Sequence, residues 1–448
     1  MISSGKQKNK LKHLMANLRR WLKPGIGVKR WLLMILLGIT LLAFGVAVLV
    51  IDFYRSTEST FWTQLLSFFS LRYFERPLRA LIFGSLGFIF IALGIIGLNR
   101  SLLKPFIKPG EAILDTIASY RIKEKGPKIV TIGGGTGLSV LLRGLKYHTH
   151  NLTALVTVTD DGGSSGELRK SLGILPPGDI RACLAALSDD EDLLTQLFQY
   201  RFGKSAGING HSLGNLLISA LSDITGSFED AVAESGVVLA VRGKVLPSTL
   251  HDVKLVADVA LPEQNKEEKV IGESRIAKMG GIIKRVWLEP NSPSPYPPAL
   301  QAILNADLII IGPGSLYTSV MPNLLVPELA NALRVSKALK FYICNVANQK
   351  GETDGYKVLD HVKAIEKHLQ DQHMDVIVCN NDYDKKIPAG IEWVMADAEL
   401  EEQYSVYHAP LADEDNPWRH DSKKLARAVM DLFYERTGPL QSRTSVKE

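Results

Sequence analysis

A short apolar run followed at once by a cluster of glycines restricts the fold more than any other feature of the chain. The run is Lys128–Ile132, the cluster is GGGTG (133–137), and a helix-like segment, 138–146, comes next. This order of strand, glycine loop and helix is typical of α/β proteins with a parallel sheet. Glycines let the backbone approach a ligand closely, and the free N–H groups of a helix start favour an anion. The junction therefore predicts a site for phosphate or diphosphate.

This glycine loop matches neither of the common nucleotide fingerprints. It lacks the third glycine of GxGxxG and the lysine of a Walker A loop. An NAD-dependent oxidoreductase is thus a weak alternative, because no hydride-site pattern accompanies the loop. A tight turn without a ligand is the other alternative.

A second apolar run, Thr153–Thr159, ends in a cluster of acids and hydroxyls. Asp160 and Asp161 come first, and Ser164 and Ser165 follow in the segment DDGGSSG. Ligands of open α/β sheets bind at the carboxyl ends of the strands. We expect the two carboxylates to accept hydrogen bonds from a ribose or sugar. Binding of Mg²⁺ together with substrate phosphates, general-base catalysis and simple helix capping are the alternatives.

Two further polar loops each precede a helix-like segment. The first, PPGDIR, contains Asp179, a natural helix N-cap, and Arg181, which is expected to meet a phosphate or Asp161. The second, NGHSLGN, contains His211 and Asn215. His211 is interpreted as a ligand contact, with a general acid and a structural histidine as alternatives.

Another glycine-rich loop, GPGS (312–315), follows the buried-strand pattern Asp307–Ile311 and predicts a second anion site. The apolar run Lys340–Cys344 then leads into Asn345. These loops are thus expected at one rim of one sheet. The Pro-rich segment 290–298 is expected to be a loop that no strand or helix crosses and that divides two halves of one α/β domain.

Two long apolar runs near the N-terminus predict membrane spans. Residues 31–51 form an unbroken apolar run of 21 residues, and 80–98 contain no charge. Residues 1–30 hold nine Lys or Arg and no acid, so the positive-inside rule places both ends in the cytoplasm and the loop 52–79 outside. A cleaved signal peptide and a nucleic-acid-binding arm are weaker alternatives, and we expect no nucleic-acid partner.

The expected organisation follows from these features. It comprises a basic N-terminus (1–30), a first transmembrane helix (31–51), an external loop (52–79), a second transmembrane helix (80–98), a linker (99–126), an α/β domain (127–438) and a tail (439–448). The three cysteines, Cys183, Cys344 and Cys379, are widely spaced in apolar segments, which indicates buried packing and argues against a disulfide framework or a zinc site.

Six motifs in order, GGGTGLS, TDDGGSSGELR, PPGDIR, GHSLGNL, IGPGSLYTS and GETDGY, resemble those of the YvcK-type gluconeogenesis factors, relatives of the CofD phospholactate transferases. The resemblance covers about 127–411. It implies a Rossmann-like three-layer α/β sandwich with a mostly parallel sheet, here preceded by two transmembrane helices. One departure is Asn348-Gln349-Lys350, where Thr-Gln-Pro is expected.

The resemblance also implies a function. The YvcK-type branch binds UDP-sugars, notably UDP-N-acetylglucosamine, and acts in cell-wall morphogenesis and carbon-source adaptation. The transferase branch moves a phospholactyl group from a guanosine diphosphate donor with Mg²⁺, and the aspartate matching Asp179 faces the acceptor.

We therefore expect a membrane-tethered nucleotide-sugar-binding regulator at the bacterial inner membrane, with a homo-oligomer as one option. The alternative is a Mg²⁺-dependent transferase in which Asp160 and Asp161 hold the metal and Asp179 or His211 is catalytic. The expected ligand-binding residues are Gly133, Gly134, Gly135, Thr136, Gly137, Asp160, Asp161, Ser164, Ser165, Asp179, Arg181, His211, Asn215, Gly312, Pro313, Gly314, Ser315 and Asn345.

Overall fold

A computed structural model describes residues 122–189, 193–203, 208, 210–261, 266–369 and 374–438, with isolated residues between 36 and 85. The chain divides into two compact units, Met1–Ile122 and Lys123–Glu448. Among the residues described, no helix is both long and apolar enough to cross a bilayer. The two expected spans lie almost wholly outside those residues, as do the external loop, most of the linker and the tail.

The main sheet has seven strands, and every pair of neighbours in it is parallel. Its strands are β1 (Ile129–Gly133), β2 (Leu152–Val156), β3 (Lys244–Pro247), β7 (Leu308–Ile311), β8 (Leu339–Ile343), β9 (Val376–Asn380) and β10 (Val406–Ala409). All residues of β1 and β7 are buried, as expected for central parallel strands covered on both faces. The predicted α/β fold with a mostly parallel sheet is confirmed.

A smaller antiparallel sheet interrupts this series. It consists of β4 (Lys254–Leu261), β5 (Lys266–Ile271) and β6 (Ile282–Glu289), in the spatial order β5-β4-β6. The helix between β5 and β6 carries an acidic side chain to the candidate site described below. This sheet was not predicted from the sequence.

Helices lie between most of the strands. They are α1 (Gly135–Leu145), α2 (Gly163–Leu172), α3 (Gly178–Leu187), α4 (Leu193–Gln199), α5 (Leu213–Thr225), α6 (Phe228–Val238), α7 (Glu273–Met279), α8 (Pro297–Leu304), α9 (Met321–Leu324), α10 (Pro327–Val335), α11 (Val358–Leu369), α12 (Ala398–Gln403) and α13 (Ser422–Thr437), with a π-helix at Leu316–Val320. Helices α1 and α13 approach closely at Gly144, where a Cβ atom would overlap the backbone oxygen of Ser422. Glycine is therefore required at this contact.

Several predicted boundaries are corrected by the structure. Helix α1 begins inside the glycine motif, at Gly135, and β2 ends three residues early, at Val156. The Pro-rich segment is a loop only as far as Tyr296, because α8 begins at Pro297. Proline suits a first helical turn, where its missing N–H group costs no hydrogen bond. The expected burial of the three cysteines is confirmed, and all three are free thiols.

The strand order reverses between β1 and β7. From β1 the sheet runs through β2 to β3 on one side, and through β7, β8 and β9 to β10 on the other. Such a reversal opens a crevice at the carboxyl ends of the two adjacent strands, which is where ligands of open α/β sheets bind. Both glycine-rich loops predicted from the sequence follow these two strands.

Candidate functional site

The two glycine-rich loops lie against each other at the strand-order reversal. A Cβ atom on Gly137 would lie 2.7 Å from the carbonyl oxygen of Pro313 and 2.9 Å from Cα of Gly314. A Cβ atom on Gly314 would lie 3.3 Å from the carbonyl oxygen of Gly134. The loops thus meet backbone to backbone, and side chains at these glycines would force them apart. Of the loops predicted to lie at one rim, the structure brings these two together.

Two buried or half-buried asparagines hold these loops in place. Asn345 accepts a hydrogen bond from the backbone N–H of Gly314 (3.2 Å) and donates one to its carbonyl oxygen (2.9 Å). Asn323 donates from Nδ2 to the carbonyl oxygens of Gly133 (3.0 Å) and Ser319 (2.9 Å). Asn345, predicted as a ligand contact, therefore has both ends of its amide committed to positioning the second loop. Asn323 lies in a helical segment with no motif, so the sequence did not point to it.

Asp179 lies at the first glycine loop. Its carboxylate accepts a hydrogen bond from the backbone N–H of Gly135, and a Cβ atom on Gly134 would overlap its Oδ2 atom. The alternative role of N-cap for its own helix is wrong, because the N-cap of α3 is Pro177 and no side chain caps that helix. Instead the side chain reaches the start of α1, where a negative group is favoured. A phosphate at this loop would be a direct neighbour of Asp179.

Four buried or half-buried carboxyl groups lie in this region, and the charges of the other three act on Glu273. Burial, together with the charge of Asp160, raises the pKa of Asp179 to about 7. Burial also raises the pKa of Glu352 to about 7, and it raises that of Asp160 with a contribution from Asp161. The pKa of Glu273 lies well above its usual range because of burial and the nearby charges of Asp179 and Asp160. An anionic ligand here needs protons or a cation to offset these charges.

Glu273 and Glu352 were not predicted as site residues. Glu273, at the start of α7, accepts a hydrogen bond from the Thr159 hydroxyl (3.0 Å), and Glu352 accepts one from the Thr318 hydroxyl (2.9 Å). The second oxygen of Glu352, Oε2, is buried without a hydrogen-bond partner. Glu352 belongs to the GETDGY motif and could have been selected from it, whereas no motif surrounds Glu273.

The neighbouring acids Asp160 and Asp161 have separate partners. Asp160 accepts a hydrogen bond from the backbone N–H of Gly162 (2.9 Å), and Asp161 accepts one from the backbone N–H of Ser274 (2.9 Å). Asp161 thereby joins its loop to the start of α7. In the described parts of the chain, no group of three or more His, Cys, Asp or Glu side chains could hold a metal ion. Mg²⁺ on this pair stays a prediction, and it would depend on phosphate oxygens and water for its other ligands.

A chain of polar side chains connects the three remaining loops. Arg181 donates from Nε to Oδ1 of Asn215 (2.9 Å), and Asn215 donates from Nδ2 to Oγ of Ser164 (3.0 Å). Oγ of Ser164 lies 3.0 Å from Nδ1 of His211, whose Nε2 lies 3.2 Å from Oε2 of Glu167. Four of these five residues were predicted as site residues, and the structure brings them together. Arg181 was expected to meet a phosphate or Asp161, and within the protein its Nε group has Asn215 as its partner, while the phosphate contact stays a prediction.

Comparison with known proteins gives this arrangement a family. The model of the family "2-phospho-L-lactate transferase CofD" matches residues 129–435, which include every candidate site residue named above. The chain belongs to the CofD family. Its resemblance to the gluconeogenesis factors is confirmed at the level of that family.

Individual relatives of this CofD-family protein cover different shares of the chain. A protein of Nostoc sp. (strain PCC 7120) is 42% identical, and the match covers 92% of each chain. The "Gluconeogenesis factor" of Bacillus subtilis (strain 168) is 48% identical over 69% of this chain and 99% of its own length. A crystal structure of a Bacillus halodurans protein is 45% identical, covers 68% of this chain and 99% of that one, and superposes with a TM-score of 0.63.

Proposed function

We propose that this CofD-family protein is a nucleotide-sugar-binding regulator of the gluconeogenesis-factor type. Its ligand is a UDP-sugar such as UDP-N-acetylglucosamine, and its role is in cell-wall morphogenesis and carbon metabolism. The observation that carries the proposal is the meeting of two glycine-rich loops at the crevice between β1 and β7. Backbone N–H groups at such a crevice are suited to a diphosphate. The gluconeogenesis-factor names of relatives supply the biological context.

The diphosphate would lie along the segments 133–137 and 312–315, next to Asp179. Asp160, Asp161 or Asn215 would bind a sugar or ribose hydroxyl in addition to the partners that each already has within the protein. Thr136, Ser165 and Ser315 lie in or beside these loops and complete the proposed ligand set. The negative charge of the diphosphate would be offset by a proton on Asp179 or by Mg²⁺.

A transferase is the second candidate, and the CofD match favours it. In this alternative Asp179, with its pKa raised to about 7, would accept the proton of an acceptor hydroxyl. Incubation of the protein with UDP-N-acetylglucosamine or GDP, with and without Mg²⁺, followed by chromatography of the nucleotides, separates the two. The regulator leaves the ligand intact, whereas any Mg²⁺-dependent nucleotide product assigns the protein to the transferases.

We further propose that residues 31–51 and 80–98 tether the protein to the inner membrane, with both termini in the cytoplasm. The apolar runs, the nine cations before them and the length needed to cross a bilayer support this. The full chain is expected to stay in the membrane pellet after an alkaline carbonate wash. A chain lacking residues 31–98 is the matched control and should move to the supernatant. Release of the full chain by carbonate would contradict the tether.

A further inference from the structure

The chain of hydrogen bonds from Arg181 to Ser164 has a fixed direction. A guanidinium can only donate, so Oδ1 of Asn215 must face Arg181 and its Nδ2 group must donate to Ser164. At the other end, the His211 tautomer that carries its hydrogen on Nε2 donates it to the Glu167 carboxylate, 3.2 Å away. Nδ1 of His211 is then an unprotonated acceptor. The Ser164 hydroxyl, 3.0 Å away, donates its hydrogen to that nitrogen.

This arrangement is that of an activated serine. The nucleophile would be Oγ of Ser164, which lies 3.0 Å from Nδ1 of the base, His211. Nε2 of His211 lies 3.2 Å from Oε2 of Glu167, the carboxylate that orients the base. The histidine presents Nδ1 to the serine and Nε2 to the carboxylate. The imidazole is mostly buried, with 16% of its side chain exposed, while the Glu167 side chain is 69% exposed.

The backbone around Ser164 also fits a nucleophile. The segment GGSSG (162–166) has the spacing GxSxG, in which a serine occupies a sharp turn at the start of a helix. Gly163 has φ of +47°, and among the described residues nothing lies within 4 Å of an added Cβ atom, whereas Ser164 itself is 8% exposed. No side chain caps the start of α2. The N-cap is Gly162, which has no side chain to accept from the first N–H groups of the helix, and such N–H groups can stabilise an oxyanion.

We propose that Ser164 is a nucleophile that cleaves carboxylic esters, with His211 as the base and Glu167 and Asn215 as positioning residues. Oγ of Ser164 attacks the ester carbon, and its proton passes to Nδ1 of His211. The bond between that carbon and the leaving oxygen breaks, and the proton is transferred from His211 to the leaving alkoxide. Water, deprotonated by the same nitrogen, then hydrolyses the acyl-serine ester and restores the hydroxyl.

The charge around the serine indicates the class of ester. Arg181 lies at the start of the hydrogen-bond chain. Burial lowers the pKa of Arg181 most, and the nearby charge of Arg201 lowers it further. Two guanidinium groups on this side favour an ester that carries a carboxylate or phosphate. The inference goes beyond the proposed regulator. It shares residues with the proposed ligand site but does not require nucleotide binding, so each can fail without the other.

The test is covalent labelling of the detergent-solubilised full chain with a fluorophosphonate, which reacts with activated serines. We expect mass spectrometry to find the adduct on Ser164, and p-nitrophenyl acetate to be hydrolysed with a burst equal to the labelled fraction. His211→Gln keeps an acceptor but removes the base, so labelling should slow by about 100-fold or more. Ser164→Ala should abolish it.

The matched control is Ser171→Ala, which removes another serine of α2, an exposed one whose hydroxyl donates to the Glu167 backbone oxygen. It should be labelled like the wild type. Thermal unfolding of each variant shows whether it is folded. A wild-type protein that is not labelled, an adduct on another residue, or an unchanged rate in folded His211→Gln would each overturn the proposal.

Discussion

Glu352→Gln should stabilise the protein, and the gain should be about 2 kcal/mol larger at pH 8.5 than at pH 5.5. Glu352 is 3% exposed, and burial raises the pKa of its carboxyl group to about 7 in the folded protein. The folded protein therefore keeps a proton that the unfolded chain releases above pH 4.5. The stability from this proton is complete below pH 4.5 and is lost as the pH rises through 7. Glutamine is neutral at every pH, so the variant does not lose this stability as the pH rises.

Urea unfolding at the two pH values measures this difference. The control is Glu402→Gln, a change of an exposed glutamate on α12, which should have the same small effect at both. Equal stabilisation by Glu352→Gln at pH 5.5 and pH 8.5 would show that Glu352 is ionised in the folded protein throughout this range, and that burial does not raise its pKa to about 7.

Gly135→Val should lower the affinity for UDP-N-acetylglucosamine by about 100-fold or more while the protein stays folded, because several backbone hydrogen bonds to the diphosphate would be lost. Gly135 has φ of +63°, and an added Cβ atom would lie 3.6 Å from Oδ1 of Asp179 and 3.9 Å from Oγ of Ser319. A side chain thus fits the space, but it occupies the crevice and strains the backbone. The strain should cost about 1 to 3 kcal/mol of folding stability.

Gly173 is a matched control that separates the effect of backbone strain from the effect of losing the ligand site. Gly173 has nearly the same φ, +68°, with nothing within 4 Å of an added Cβ atom. Gly173→Val should lose a similar amount of stability and keep the wild-type affinity in a calorimetric titration. If Gly135→Val binds the ligand as well as Gly173→Val does, the first glycine loop is not part of the site.

The sequence predicted the local part of this site well. Strand, glycine loop and helix are adjacent in the chain between 128 and 146, so their order alone indicates that the loop at 133–137 lies at a strand end. The same reasoning applies to the second loop at 312–315. Both predictions needed only neighbouring residues and the rule that ligands bind at the carboxyl ends of parallel strands.

Partners distant in the chain could not be predicted in this way. Asn345 binds a loop 31 residues earlier, and Asp161 binds the start of α7, 113 residues later. Glu273 reaches the site from α7, the helix between two strands of the small antiparallel sheet. No sequence pattern indicated that this helix lies near the end of β2. The position of Asp179 depends on how α3 packs against α1. Such contacts are set by tertiary packing, and the loop motifs specify only one side of each.

Calorimetric titration of the full chain with UDP-N-acetylglucosamine, with GDP as the comparison ligand, tests the central claim most directly. A regulator with a diphosphate site between β1 and β7 should bind the UDP-sugar at one site per chain, without Mg²⁺-dependent breakdown, and more tightly than GDP. Absence of binding by a folded protein at millimolar UDP-sugar would contradict the claim. Mg²⁺-dependent binding of GDP in its place would favour the transferase.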